Sequence, residues 1–403
     1  MKDILVIGGG FAGVWSAAGA VRALREAGAT TEDVRVTLVS GGDDMVVRPR
    51  LYEADPERKR LPLDRILGPI GVRRITATVT DLDTDAHTVL AVDRNGEQRT
   101  LSYDKLVLAT GSKLVRPGGL PGIEHAFDVD TLPAAAALDH HLRRLPQHPR
   151  AAGRYTVVVV GAGFTGIELA TELHDRLHAV ADPEGAAEEV RVLVVDRADV
   201  LGPELGEGPR PHIEKVVDGL RIERRLGNTL AAVTPYQVTL ADGEVIPAAT
   251  VVWTAGMVAS PLTARIPAER DRLGRLPVDE HLRVTGVPDV YAAGDTAAAV
   301  VEGGHRTMQS CQHAQPMGKC AGHNVAAELL GRELMPFAPD PYGTCLDLGP
   351  AGAVVAEGWD RAVQMTGAEA KVVKEQINTL WIYPPVDDAE KILAKAGQQA
   401  NGA

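Results

Sequence analysis

Residues 157–173 read VVVVGAGFTGIELATEL, and residues 4–13 read ILVIGGGFAG. Each runs a short apolar strand into a glycine-rich turn and then into a helix. In each copy the first glycine permits the tight turn and the second lets backbone approach a pyrophosphate. The third lets the helix pack on the strand. These glycines are Gly8, Gly10 and Gly13, and then Gly161, Gly163 and Gly166. The helix start adds free N–H groups and partial positive charge for the phosphates. One such turn is a weak signal, but here both sit between a strand and a helix, the context the motif requires.

The surroundings repeat as well. In the first half, strand 3–8 and a helix to about Ala27 precede VRVTLVS, which ends at Ser40. A hairpin around Asn95-Gly96 follows, and KLVLATG closes at Gly111. In the second half, strand 155–160 and a helix to about Val180 precede VRVLVVD, which ends at Asp196. A hairpin around Asp242-Gly243 follows, and TVVWTAG closes at Gly256. This is an internal duplication. It predicts an α/β chain with two Rossmann-like dinucleotide-binding domains, each a three-layer ββα unit, and a small α+β C-terminal domain. The expected domains are 1–115 with 257–335, then 150–256, then 336–403. Segment 134–153 reads as a helix plus linker, 287–299 as another strand running into a helix, and 308–331 as mostly helical. Pro336, Pro339 and Pro341 mark a boundary. Short strands and a helix near 368–380 follow, and KAGQQANGA reads as a frayed end.

The chain has 403 residues, nearly half of them apolar, and a net charge of −12. That supports large cores and argues against nucleic acid and anionic membrane surfaces as partners. Three cysteines without a CxxC pair fit a reducing cytoplasm. The N-terminus reads as a strand, without a cleavable leader, and no run is long enough to span a bilayer.

The fingerprint expects an acid at the end of the second strand, to accept a hydrogen bond from a ribose. Asp196 supplies it in the second half and favours NADH, with Arg197 beside it as the route to NADPH. In the first half Ser40 stands there, so either Asp43 or Asp44 reaches back or the ribose is held without an acid. Asp295, in AAGDT, sits at a strand end. It reads either as a carboxylate for a ribitol hydroxyl or as a helix N-cap. Two such sites suit flavin plus nicotinamide, between which a hydride passes.

GGGFAG, LVLATGS, GAGFTGIELATEL, VVWTAG and VYAAGDTA, in this order, resemble the flavin-dependent pyridine nucleotide oxidoreductases of the glutathione-reductase fold. RPRLYEAD at 48–55 is similar to the type II NADH dehydrogenase and apoptosis-inducing-factor-like branch. The resemblance covers about 1–335. It implies FAD at the first turn, NADH (NADPH as the alternative) at the second, Asp295 on the ribitol and Glu168 near the nicotinamide. It further implies cofactor contacts at Phe11, Ala12, Ser40, Arg48, Val79, Ala109, Thr110, Gly111, Phe164, Thr165, Gly256 and Gly294. Glu168 also reads as a plain first-turn acid favoured by the helix dipole.

The first helix lacks the cysteine pair of disulfide reductases, and all three cysteines come late, so they read as small buried hydrophobes. The branch carries a motif like AQxxxQ beside the quinone. Gln312 retains its first glutamine. Pro316 replaces the second, unless Gln315 substitutes after a one-residue shift. Trp381, Ile382 and Tyr383 read as core. The expected activity is hydride transfer from NADH to FAD and then to a quinone-like small acceptor, with Gln312 and His313 as polar contacts. The alternatives are a NADH-sensing redox-signalling flavoprotein, or a ferredoxin-type reductase docking through Arg58-Lys59-Arg60 and Arg73-Arg74. A homodimer, a cytoplasmic location with peripheral membrane contact as the variant, and no bound metal complete the expectations.

Overall fold

The computed structural model of the protein describes residues 1–30 and 32–397. The chain opens with strand β1 (Lys2–Ile7), helix α1 (Phe11–Glu26), and strands β2 (Val34–Ser40) and β3 (Arg73–Thr76). A meander of β4 (Thr78–Asp83), β5 (Thr88–Val92) and β6 (Gln98–Ser102) turns at Asn95-Gly96, and β7 (Lys105–Leu108) closes the unit. Helix α2 (Leu132–Arg144) leads onward. Its cap Thr131 accepts from the Ala134 N–H.

The second unit repeats the first. It comprises β8 (Thr156–Val160), α3 (Phe164–Ala181), β9 (Arg191–Asp196), α4 (Arg210–Gly219) and β10 (Glu223–Leu226). A meander of β11 (Leu230–Val233), β12 (Gln237–Leu240) and β13 (Val245–Pro247) follows, and β14 (Thr250–Trp253) closes it. Strand β15 (Val290–Ala292) and helix α5 (Cys311–Leu329) rejoin the first unit. The tail folds as β16 (Gly343–Asp347), β17 (Ala353–Glu357), β18 (Ala362–Thr366), α6 (Gly367–Gln376) and α7 (Ala389–Ala396).

The duplication extends to sheet order. The first parallel sheet runs β15-β7-β1-β2-β3 and the second β14-β8-β9-β10, so each lays closing, first, second and third strands side by side. Strand side chains alternate between faces. Val157, Val159, Val192 and Val194 pack under α3 with Ile167, Leu169 and Leu173. Val158, Val160, Leu193 and Val195 meet Val233, Val238 and Leu240 of the meander. Both faces are covered, which is why the strand reads VVVV rather than alternating. Helices α1 and α5 approach through glycine: a Cβ on Gly322 would lie 2.1 Å from Ser16 O, and one on Gly318 would lie 2.4 Å from Ala12 O.

Several elements differ from expectation. After β15 no helix begins. Gly294–Thr296 makes one 3₁₀ turn, and Ala297–Ala298 then pairs with Leu276–Pro277. Thr296 Oγ1 donates to Leu108 O (3.0 Å), tying the turn to β7 and steering the chain into a strand. Strands β3, β10 and β18 and helices α4 and α7 were not foreseen, and α7 returns to the first unit, where Ile392, Leu393 and Ala396 join the core that contains α1. The frayed end expected for KAGQQANGA lies, from residue 398 on, outside the described residues.

Candidate functional site

Both glycine turns open onto one cavity of about 2560 Å³, well beyond the ~300–1,000 Å³ of a typical single-ligand site. At the first turn it is lined by Gly8, Gly10, Phe11, Ala12, Ser40, Arg48, Ala109, Thr110, Gly111, Gly294 and Asp295. At the second it is lined by Gly161, Gly163, Phe164, Thr165, Gly166, Glu168, Asp196 and Gly256, and Gln312 of α5 borders it as well. Gly13 does not reach it. A Cβ there would lie 1.9 Å from Gly8 O, so Gly13 lets α1 sit against the turn. Val79 does not reach it either. It lies on β4, which pairs within the meander, and packs against the first core.

The first turn fits a dinucleotide. Gly8 has φ of 120°, a conformation open to glycine. A Cβ on Gly10 would meet nothing within 4 Å, so bare backbone faces open space there. No side chain caps α1, which leaves its first N–H groups turned to the cavity. The Thr110 hydroxyl is buried without a hydrogen-bond partner among the described residues. Asp295 lies inside the 3₁₀ turn and caps nothing. Its Oδ2 accepts from Ser112 Oγ (2.5 Å) and lies 3.8 Å from Arg48 Nη1. Burial pushes the Asp295 carboxyl up, opposed by the Ser112 bond and the Arg48 charge. Arg48 also donates to Ser112 Oγ (2.9 Å) and pairs with Asp130. Asp43 does not reach back. It accepts from Thr76 Oγ1 (2.7 Å) and pairs with Arg74 and Arg94, and the Thr76 bond leads in drawing its carboxyl down to about 2. Asp44 borders the cavity but is engaged by Arg60 (3.0 Å).

The second turn repeats this geometry, with Gly161 at φ of 114°. Asp196 is fixed at the strand end: Oδ2 accepts from Ala162 N (2.6 Å) and Oδ1 from Ala198 N (2.8 Å). A residue the sequence pattern does not flag also sits here. Glu204 Oε1 accepts from Phe164 N (2.8 Å), which places a carboxylate at the start of α3, where a pyrophosphate would bind.

Glu168, one turn into α3, is 3% exposed. Its Oε1 accepts from Lys374 Nζ (2.7 Å) and from Asp347 N (3.0 Å). It is therefore a buried, paired acid, not a solvated first-turn one. Burial pushes its carboxyl up to about 7 against the pull of Lys374. Burial also disfavours the Lys374 ammonium, but the charge and hydrogen bond of Glu168 outweigh it and hold that proton on. Lys374 carries no motif and lies on α6.

At the far side, Gln312, Gln315 and Lys319 share one face of α5 and line the cavity. The Gln312 amide, oriented to satisfy both ends, donates to Gly343 O (2.6 Å) and accepts from Gly343 N (3.0 Å), clamping α5 to β16. Gln315 borders the cavity, whereas Pro316 is buried away from it. His313 does not face the cofactor turns. Its Nδ1 accepts from Met308 N (3.1 Å), its ring stacks on Tyr342, and burial holds it down to about 4. Cys311 and Cys345 border the cavity and Cys320 is buried. Burial pushes the first two up to about 11, so neutral thiols line the site. Trp381 borders the cavity, Ile382 is buried, and the Tyr383 hydroxyl accepts from Arg50 Nη1 (3.1 Å). Of the candidate basic docking cluster, Lys59 pairs with Glu53, Arg60 with Asp44, and Arg74 with Asp43 and Asp64.

Paired dinucleotide units opening onto a shared cavity define a nucleotide-dependent oxidoreductase architecture. The chain belongs to the pyridine nucleotide-disulphide oxidoreductase family, whose profile matches residues 2–318. It is 47% identical over 397 residues to an NADH dehydrogenase-like protein of Mycobacterium tuberculosis, with 98% of each chain covered. It is 30% identical to the demethylphylloquinone reductase of Synechocystis, over 88% of this chain and 86% of that one. In structure it is similar to NDH2 from Plasmodium falciparum solved with NADH, with a TM-score of 0.78, 14% identity, and coverage of 98% and 97% of the two chains.

Proposed function

We propose that this protein is an FAD-dependent NADH dehydrogenase that passes electrons from NADH to a quinone-like small acceptor. The observation that carries the reading is the pair of like-built glycine turns, with matching sheet order, opening onto one cavity. Bound FAD supplies a ring that takes a hydride from NADH and gives two electrons to the acceptor. The Gly8–Gly10 turn and the start of α1 hold the flavin pyrophosphate, and Asp295 and the orphan Thr110 hydroxyl meet the rest of the cofactor. The Gly161–Gly163 turn and Asp196 hold NADH, and the fixed carboxylate disfavours the extra phosphate of NADPH.

Conversion of a quinone to a quinol by NADH consumes one proton from solvent in addition to the hydride. Glu168, which titrates near 7 and hydrogen-bonds Lys374, holds a proton beside the reaction without exposing it to bulk water. Protonated, unpaired thiols and a first helix without cysteine supply no disulfide relay. The names of the relatives favour the quinone over a protein acceptor, and the paired cations at Lys59, Arg60 and Arg74 favour it too. The signalling reading draws on Glu204, which competes with the nucleotide at α3 and would slow reduction.

Among the described residues no helix is long and apolar enough to cross a membrane. We place the protein in the cytoplasm, meeting lipid-soluble acceptors at the membrane surface through the edge that exposes Val372 and Leu380. Vesicle flotation tests this placement. Self-association as a homodimer is a separate proposal, read by sedimentation.

The deciding experiment is anaerobic reduction by NADH and by NADPH, followed by stopped-flow reoxidation with naphthoquinones, ferredoxin and oxygen. Fast bleaching by NADH and fast recovery with a naphthoquinone are expected. Recovery only with the protein carrier overturns the reading, and slow recovery with every acceptor replaces it with the signalling one.

A further inference from the structure

Lys319 lies on α5 one turn beyond Gln315, about 6 Å further along the axis. It is 3% exposed and lines the cavity. Among the described residues it makes no hydrogen bond or ion pair. Its Nζ lies 5.0 Å from the centroid of Trp15, whose indole N–H is buried without a partner. A second lysine borders the same end. Lys395 of α7 donates to Trp381 O (2.9 Å) and Tyr383 O (3.1 Å), and its Nζ lies 6.0 Å from the same Trp15 ring. Carbonyls satisfy its donors but leave its charge uncompensated. Asp340, exposed on the segment before β16, is the acid whose charge acts on Lys319. Burial, reinforced by Lys395, holds Lys319 down to about 8, so it is still mostly protonated at neutral pH.

A buried cation beside a half-buried one, with only the exposed Asp340 carboxylate at the cavity wall acting on Lys319, is costly in an otherwise acidic chain. A ligand that brings an anion removes that cost. Trp381 and Ile377 border this end, an aromatic and an aliphatic side chain. Small inorganic anions gain nothing from such walls, whereas an aromatic ring does. We propose that the α5–α7 end of the cavity is a subsite for a carboxylate carried on an aromatic ring, held between Lys319 and Lys395. The preferred acceptors are then carboxylated two-ring quinones rather than neutral ones. This specificity rests on the reading of the cavity as the acceptor's site. A carboxylate at Lys319 leaves the fused rings extending back toward Gln315 and Gln312.

The test uses the FAD-loaded protein in its oxidised state, without NADH, so binding is read apart from turnover. Calorimetric titration compares 2-naphthoate with 2-naphthamide, which matches it in shape but carries no charge. The acid should bind roughly tenfold tighter, the yield of one charge-assisted pair. That preference should fall toward unity in Lys319→Gln, fall partly in Lys395→Gln, and survive in Lys319→Arg. Equal binding of the two probes by the wild-type protein overturns the proposal, whatever the variants do. So does an unchanged preference in a folded Lys319→Gln, or inorganic phosphate that displaces naphthoate at equal concentration. An intact preference in a protein that fails to oxidise NADH sinks the dehydrogenase reading alone.

Discussion

Two glycines three residues apart make opposite demands. Gly10 leaves room for a ligand, and Gly13 leaves room for the protein. In Gly10→Ala the new methyl meets no protein atom within 4 Å, so the apo-fold should melt within about 2 °C of wild type. The methyl would fill the space where phosphate approaches, and the flavin-to-protein absorbance ratio of the purified protein should drop severalfold. In Gly13→Ala the methyl lies 1.9 Å from a backbone oxygen, and the strain should cost ~1–3 kcal/mol or more. Both Tm and flavin content should then fall. Equal behaviour of the two variants would refute this division of labour. Glu168 yields a pH prediction. Its folded pKa of about 7 stands above the ordinary 4.5. Between those values the native state binds a proton that the unfolded chain has released, so stability falls as pH rises through that window and is level above it. Lys374, whose proton is held more firmly than usual, does not titrate there. Chemical unfolding at pH 5 and pH 7 should show the wild type losing stability at up to ~1.4 kcal/mol per pH unit, a slope absent in Glu168→Gln. Parallel slopes would place the proton elsewhere.

At the scale of elements, helix starts and helix crossings set the function. The start of α3 attracts anions, and Glu204 already accepts from its Phe164 N–H. Glu204→Ala should therefore bind NADH more tightly, with the half-saturating concentration for flavin reduction falling roughly three- to tenfold in stopped-flow, or ~0.7–1.4 kcal/mol. A weaker complex would instead make Glu204 a ligand of the nucleotide. The α1–α5 crossing depends on small residues. In Gly322→Ala the Cβ would sit 2.1 Å from Ser16 O, with a backbone atom as the obstacle. That variant should lose several degrees of Tm and shift α5, and the cavity face of Gln315 and Lys319 with it. The turns, the first, second and closing strands of each unit and both hairpins were legible in the sequence because local periodicity and glycine placement write them there, and Asp196 followed from its place at a strand end. Lys374 and Glu204 were not legible, and Gln315 was legible only as the alternative to Pro316. Glu168 meets Lys374 only because the tail folds back on α3, 206 residues later. The 3₁₀ turn at Asp295 was hidden for a similar reason: the bond that ties it to β7 runs from Thr296 to Leu108, far apart in sequence. Helix α7 has only eight residues, and its buried side belongs to a core most of whose members lie far upstream, in α1, α5 and the first sheet.

That return of the tail bears on the whole molecule. The first unit is assembled from both ends of the chain, with β1 and α1 from the start, β15 and α5 from the later part, and α7 from the end. Helix α7 packs against α1, which begins at the first glycine turn, and its Lys395 borders the cavity. Damage to α7 should therefore reach cofactor retention without touching any residue of the glycine turns. Ile392 is fully buried in this core, and Ile392→Ala should cost ~2–5 kcal/mol locally. The expected result is a lower first melting transition together with a lower flavin content on purification. Because FAD binds only the folded first unit, adding it at a hundredfold excess over its Kd should return ~2.7 kcal/mol. The variant's Tm should then climb back toward wild type, while the second unit's transition stays where it was. A variant that melts early yet keeps its full complement of flavin would show that the tail stabilises the chain without supporting the site.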